Sequence, residues 1–150
     1  MTSGHLSRRV VTDRIQWVQS MLQSIRNMPI HDPMQFHTDP RNALACESCL
    51  RRALKALLDL GRHILTKQFA IAVEEYKEIG PALAKHGVIS NDLADQFRTL
   101  AGYRNRMVHF YHEVSNVEIQ DICANHLEDL EMVLEALRCW LSSVLESPRP

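Results

Sequence analysis

Along most of the chain apolar residues recur at spacings of three and four, and runs that alternate apolar with polar residues are missing, so the pattern predicts an all-α protein. Val11, Ile15, Val18, Leu22 and Ile25 form one stripe, which predicts a first helix from about Ser7 to Asn27. Residues 28–37 carry two prolines and no periodicity and are expected to form a loop. Asp39-Pro40 then reads as an N-cap followed by proline at the first helical position. The helix it opens keeps Leu50, Leu54, Leu57, Gly61 and Ile64 on one face, with Arg51, Lys55 and Arg62 opposite. Glycine in mid-helix costs about 1 kcal/mol against alanine, so Gly61 points to a close helix crossing.

A shorter helical stretch is expected from Glu74 to His86, kinked or restarted at Gly80-Pro81 and closed by Gly87. Ser90 is the expected N-cap of a helix carrying Leu93, Phe97 and Leu100 into residues 102–111. Ser115 and Glu118 have the spacing of a capping box. They open a long final helix with a core face of Ile119, Ile122, Leu130, Val133, Leu134, Leu137, Leu141 and Leu145. Glu118, Asp121, Glu128, Asp129, Glu131 and Glu135 are expected to face solvent, and residues 147–150 to fray. These ingredients predict an antiparallel helical bundle of about five helices. Residues 1–150 form one domain, and the long helices leave an apolar strip through which the chain is expected to dimerise.

Composition fits this picture. Hydrophobic residues make up 45% and charged residues 23% of the 150, which excludes collagen-like and wholly disordered chains. A net charge of -1 excludes a polybasic protein that grips nucleic acid by bulk charge, so any anion-binding surface must be built locally. The first nine residues lack a signal-peptide core and no segment reaches the roughly 18 apolar residues of a membrane span. A cytoplasmic protein is expected, with no membrane association and with Cys46, Cys49, Cys123 and Cys139 as thiols.

Phosphate-binding loops, dinucleotide fingerprints, nucleophile elbows and the helical zinc-protease motif are all missing. Cys46-x2-Cys49 and Cys123-x2-His126 nominally supply four zinc ligands, but both pairs fall inside predicted helices, where buried thiols are the plainer reading. His109, His112 and Glu113 form a second loose grouping, and no metal is assigned to either.

The most unusual stretch is Tyr103-Arg-Asn-Arg-Met-Val-His-Phe-Tyr-His-Glu113, with two arginines, two histidines and three aromatics in eleven residues. Arg104 and His109 are five apart, roughly 140° around an ideal helix. They reach one substrate only if the helix ends near Val108 or if two subunits share the site. The pair suits phosphodiester cleavage, with histidine taking a ribose 2′-OH proton and the arginine fork holding the phosphate as charge builds. A helix end decorated with solvated cations is the competing reading.

Arg104-x4-His109-x-Tyr111 resembles the signature of the HepT-like toxins, a branch of the HEPN superfamily found in type II or type VII toxin–antitoxin systems. Asp39-Pro-Arg41, Cys46-Glu-Ser-Cys-Leu-Arg-Arg-Ala53, Leu57-Leu-Asp-Leu-Gly-Arg-His-Ile64, Glu75-Tyr-Lys77 and Gly87-Val-Ile89 resemble that family in order and spacing, and the similarity runs from about Val10 to Leu145. The resemblance implies a HEPN bundle that homodimerises around a shared cleft and acts as a metal-independent endoribonuclease toxin on tRNA or mRNA. It implies an MNT-type nucleotidyltransferase antitoxin as partner. By the family pattern Arg104 and His109 are catalytic and Asn105 organises the site. Tyr111 is then the residue that the antitoxin modifies with AMP, using ATP, so the toxin itself needs no cofactor. Arg106 lies outside the minimal signature and is a candidate phosphate contact. Arg51, Arg52 and Lys55 are candidate cleft cations or else a solvated face. The alternative function is a non-catalytic HEPN dimer that binds RNA, nucleotide or a protein partner, and a zinc-stapled regulator is a third.

Overall fold

The structure is a computed structural model, and it describes residues 5–146. Among these, seven α-helices and two 3-10 turns account for the regular structure, and none is a strand. The expected frayed end at 147–150 lies outside the described residues.

Helix α1 (Arg8–Arg26) starts at Ser7, whose hydroxyl accepts from the Val10 N–H, and it buries Val11, Val18, Leu22 and Ile25. Those four belong to the predicted stripe. Residues 28–37 are not wholly irregular as the sequence predicts. Asp32 caps a six-residue helix, α2 (Pro33–Thr38), with Pro33 in its first turn and Phe36 buried beneath it. A helix this short has room for one inward residue, so periodicity does not register it.

Helix α3 (Pro40–Phe69) is the spine of the molecule and touches every other helix. Asp39 caps it through the Arg41 N–H, and it ends where Ala70 adopts left-handed geometry, with the Ala70 N–H donating to Leu65. Its 30 residues rise roughly 45 Å. Leu50, Leu54, Leu57, Leu58, Leu60, Ile64 and Leu65 are buried along it, each contributing roughly 1.5–3 kcal/mol on leaving water. The crossing expected at Gly61 is present: a Cβ there would lie 2.7 Å from Ile79 Cγ2 and 3.0 Å from Phe97 Cζ.

The predicted helix over 74–86 is shorter than expected. Tyr76–Glu78 form a 3-10 turn, and helix α4 (Ile79–Lys85) begins only at Ile79. Gly80 and Pro81 thus fall in its first turn, where the proline's missing N–H costs no helical hydrogen bond. Gly87 closes α4 at φ 77°, with Gly87 N–H to Ala84 and Val88 N–H to Leu83 completing a Schellman turn.

Helix α5 (Asn91–His109) is capped by Ser90 and buries Ala94, Phe97, Leu100, Ala101 and Met107. The single long final helix of the sequence reading is two helices, α6 (Asn116–Asn125) and α7 (Leu127–Glu146). His126 leaves helical geometry between them, its imidazole lying 3.7 Å from Asp121 and 3.6 Å from Asp129. The apolar rhythm passes from Ile122 and Cys123 to Leu127 and Leu130 without a skip, so periodicity does not reveal the break. Ser115 caps α6 by accepting from the Glu118 N–H, but the Glu118 carboxylate does not return to close a capping box. It is half-buried against Arg106, where the sequence predicts a solvated residue. Buried Gln120 ties α6 to the loop before α2 by donating to the Ile30 carbonyl at 2.6 Å. No helix among the described residues is long and apolar enough to cross a membrane.

Candidate active site at the end of α5

Helix α5 ends because Phe110 turns out of helical geometry while its N–H still donates to the Arg106 carbonyl. The chain makes one 3-10 turn at Tyr111–Glu113 and re-enters helix after Ser115. His109 is therefore the last helical residue and is exposed, as are Phe110 and Tyr111, the latter at 72%. The helix runs without interruption through both Arg104 and His109, so the two stay roughly 140° apart within one chain. Among the described residues no hydrogen bond joins them.

Arg104 is held on the side of α5 that faces the 3-10 turn before α4. Its guanidinium carbon lies 4.5 Å from the centre of the Tyr76 ring, and one terminal nitrogen donates to the Asn105 side-chain oxygen at 3.2 Å. Asn105, which the resemblance implies organises the site, thus lies in contact with the Arg104 guanidinium. Tyr76 also carries Arg62 at 4.5 Å, and its hydroxyl donates to Asp59, whose other oxygen accepts from Lys55 at 2.9 Å. A guanidinium on a tyrosine face is stabilised by about 0.5–1 kcal/mol and is fixed in orientation. The Nε atoms of Arg104 and Arg62 are both shielded from solvent and lack a partner among the described residues. A dry N–H without an acceptor costs roughly 1–3 kcal/mol, so an anion reaching either group restores that much.

Arg106 has a different role from the one its position invites. Glu118 accepts from both of its terminal nitrogens, one of these bonds at 3.0 Å, which joins α5 to α6 and holds the guanidinium firmly protonated. Its fork is occupied within the chain. Next to it, burial followed by the charges of Asp129, Asp121 and Glu118 pushes the Tyr103 phenol up, so that hydroxyl stays neutral.

Tyr111 lies on an open cleft of about 400 Å³ between α3 and the α5–α6 connection. Ala43, Leu44, Glu47 and Arg51 form one wall, and Met107, Val114, Asn116 and Ile119 the other. Of the three helical cations singled out in the sequence, Arg51 lines this cleft, paired with Glu47 at 3.1 Å. Arg52 and Lys55 line a separate groove between α1 and α3.

The cysteines pack as thiols. Cys46 and Cys123 are both buried, and Cys46 donates to the Met28 sulfur at 3.7 Å. The neighbouring Cys46 thiol and burial push the Cys123 thiol up. Cys49 is half-buried and Cys139 exposed. His126 points its nitrogens at two aspartates, and among the described residues no group of three or more His, Cys, Asp or Glu is arranged to hold a metal ion.

Tyr76, Asp59, Arg62 and Glu118 are the residues that the sequence reading left without a role at the site. Tyr76, Asp59 and Arg62 do fall within stretches that carry the family resemblance, which was the available signal.

A family model described as ribonuclease HepT-like matches residues 17–137. The mRNA nuclease HepT of Shewanella oneidensis is 23% identical over 129 residues, covering 86% of this chain and 96% of that protein. Among solved structures, the tri-AMPylated Shewanella oneidensis HEPN toxin in complex with MNT antitoxin superimposes with a TM-score of 0.78 at 22% identity, over 89% of this chain and 99% of that one. A cytosolic protein of unknown function, YutE from Bacillus subtilis, superimposes with a TM-score of 0.81 at 16% identity, over 97% of this chain and 98% of that one.

Proposed function

Because the chain belongs to the HepT-like ribonuclease family, we propose that it is a metal-independent endoribonuclease toxin, with an MNT-type nucleotidyltransferase as its antitoxin. The observation that carries this reading is the end of α5. It carries the R-x4-H-x-Y residues in one short stretch, with Arg104 oriented by Tyr76 and Asn105, His109 exposed on another side of the helix, and Tyr111 exposed on the lip of a cleft.

His109 removes the proton from a ribose 2′-OH, and the 2′-oxygen attacks the adjacent phosphorus. Arg104 binds the phosphate oxygens and stabilises the charge that builds on them. The P–O5′ bond breaks, leaving a 2′,3′-cyclic phosphate on one fragment and a 5′-hydroxyl on the other, with the leaving oxygen taking its proton from solvent and the His109 imidazolium afterwards returning its own. One chain holds Arg104 and His109 on different sides of a helix, which favours a homodimer whose two α5 ends face a shared cleft. Exposed Leu44, Val108, Phe110 and Val117 near that end supply apolar surface for such pairing. Tyr111 is the modification site: its hydroxyl attacks the α-phosphate of ATP on the antitoxin, pyrophosphate leaves, and the added phosphate repels an RNA backbone two residues from His109.

The test is incubation of purified protein with total RNA and with tRNA in EDTA, wild type beside His109→Ala. Cleavage by wild type alone, with cyclic-phosphate ends, is the expected result. Equal cleavage by the variant removes His109 from the mechanism. Intact RNA with both, from a protein whose mass shows no added AMP, favours the non-catalytic binding dimer.

A further inference from the structure

The groove between α1 and α3 is lined by Arg14, Trp17, Arg52, Lys55, Ala56 and Asp59, and encloses about 220 Å³. Arg14, Arg52, Lys55 and Trp17 are all exposed, Trp17 at 45%. A tryptophan this open does little core packing, and its indole face remains available. Lys55 is paired with Asp59, but among the described residues neither Arg14 nor Arg52 has an acidic partner. The charges there do not cancel: three cations face one carboxylate.

The groove also leads toward the candidate active site. Arg52, Lys55, Asp59 and Arg62 occupy one sector of α3, within about 80° of each other, and rise roughly 15 Å from first to last. At the far end Arg62 and Arg104 share the Tyr76 ring, and Tyr76 is bonded to Asp59 of the groove itself. A continuous band of cations and two aromatic rings therefore extends from Arg14 to Arg104. Spaced cations beside an open aromatic face suit single-stranded nucleic acid, whose phosphates pair with the charges while a base stacks on the ring.

We propose that the α1–α3 groove is a single-stranded RNA subsite, in which Arg14 and Arg52 hold backbone phosphates and Trp17 stacks a base, guiding the strand along α3 to Arg104. The proposal rests on the ribonuclease reading and adds where substrate outside the scissile bond is held. It is also compatible with RNA recognition by a chain of net charge -1, because Arg14, Arg52, Lys55, Arg62 and Arg104 supply a local run of cations.

The experiment measures binding of a fluorescent single-stranded RNA oligonucleotide to the His109→Ala protein, alone and with added substitutions, from about 50 to 300 mM salt. Arg14→Gln with Arg52→Gln is expected to weaken binding at least tenfold. It should also flatten the slope of log affinity against log salt by about 1.4, at roughly 0.7 per phosphate contact on a single strand. Trp17→Ala is expected to weaken binding about fivefold or more without changing the slope, since stacking releases no counterions. Arg98→Gln, an exposed cation elsewhere on α5, is the control and is expected to change little. Affinity within twofold of the parent for the double variant, or an equal loss from Arg98→Gln, overturns the proposal while leaving wild-type cleavage intact. The same holds if the double variant keeps its RNA affinity but no longer co-purifies with the nucleotidyltransferase, which makes this a protein-docking face. If the parent binds no RNA and wild type cuts none, the ribonuclease reading itself has failed and the subsite falls with it.

Discussion

At the level of single residues, the end of α5 divides its work among neighbours of similar chemical type. Arg104 and Arg106 are two positions apart, roughly 200° around the helix, and so meet different surroundings. Arg104 lies on Tyr76 with its Nε unpaired, while Arg106 is occupied by Glu118. An arginine already held by a carboxylate must give up that pair to bind phosphate, so Arg104 is the better anion-binding group. Tyr111 differs from the buried aromatics in standing largely in solvent. Tyr111→Phe is expected to leave RNA cleavage within about twofold of wild type while abolishing silencing by the antitoxin with ATP, as read by intact mass and by residual cleavage. Continued addition of AMP to that variant places the acceptor hydroxyl elsewhere.

At the level of elements, α3 fixes the geometry because every other helix docks on it, and two glycines set how close they come. A Cβ on Gly80 would stand 2.7 Å from the Ala94 carbonyl oxygen and 2.9 Å from Phe97 Cβ, positions that move only if α4 separates from α5. Gly80→Ala is therefore expected to lower stability by roughly 1–3 kcal/mol, seen as a lower Tm in a thermal melt. Gly102 is the contrast, since its added methyl meets only the end of Lys77 at 3.9 Å. Gly102→Ala is expected to be neutral or to stabilise by up to about 1 kcal/mol through helix propensity. The stripes of α1, α3 and α5 were legible in the sequence because each spans several turns with one constantly buried face. The short α2 and the break at His126 were not legible, because six residues show no period and because a bend at a residue without glycine or proline leaves the apolar spacing unchanged.

At the level of the whole molecule, the separation of Arg104 and His109 around α5 becomes a statement about assembly. If each catalytic unit takes arginine from one subunit and histidine from the other, a dimer of Arg104→Ala with His109→Ala subunits keeps one intact unit. Co-expressed, differently tagged and purified as the mixed dimer, that protein is expected to recover up to about half of wild-type cleavage, while each parent alone is inactive. No recovery means that both groups act from the same chain. What the sequence determined by itself is the helical class, most boundaries, the apolar faces and the Arg104–His109–Tyr111 spacing, since periodicity, caps and motifs are local properties of neighbouring residues. The tertiary structure alone decided that Tyr76 carries Arg104 and Arg62, that Glu118 takes Arg106, and that Arg51 and Arg52 open onto different grooves. Those partners lie 12 or more positions apart or on separate helices, and only the packing of α1, α5 and α6 around α3 brings them within reach.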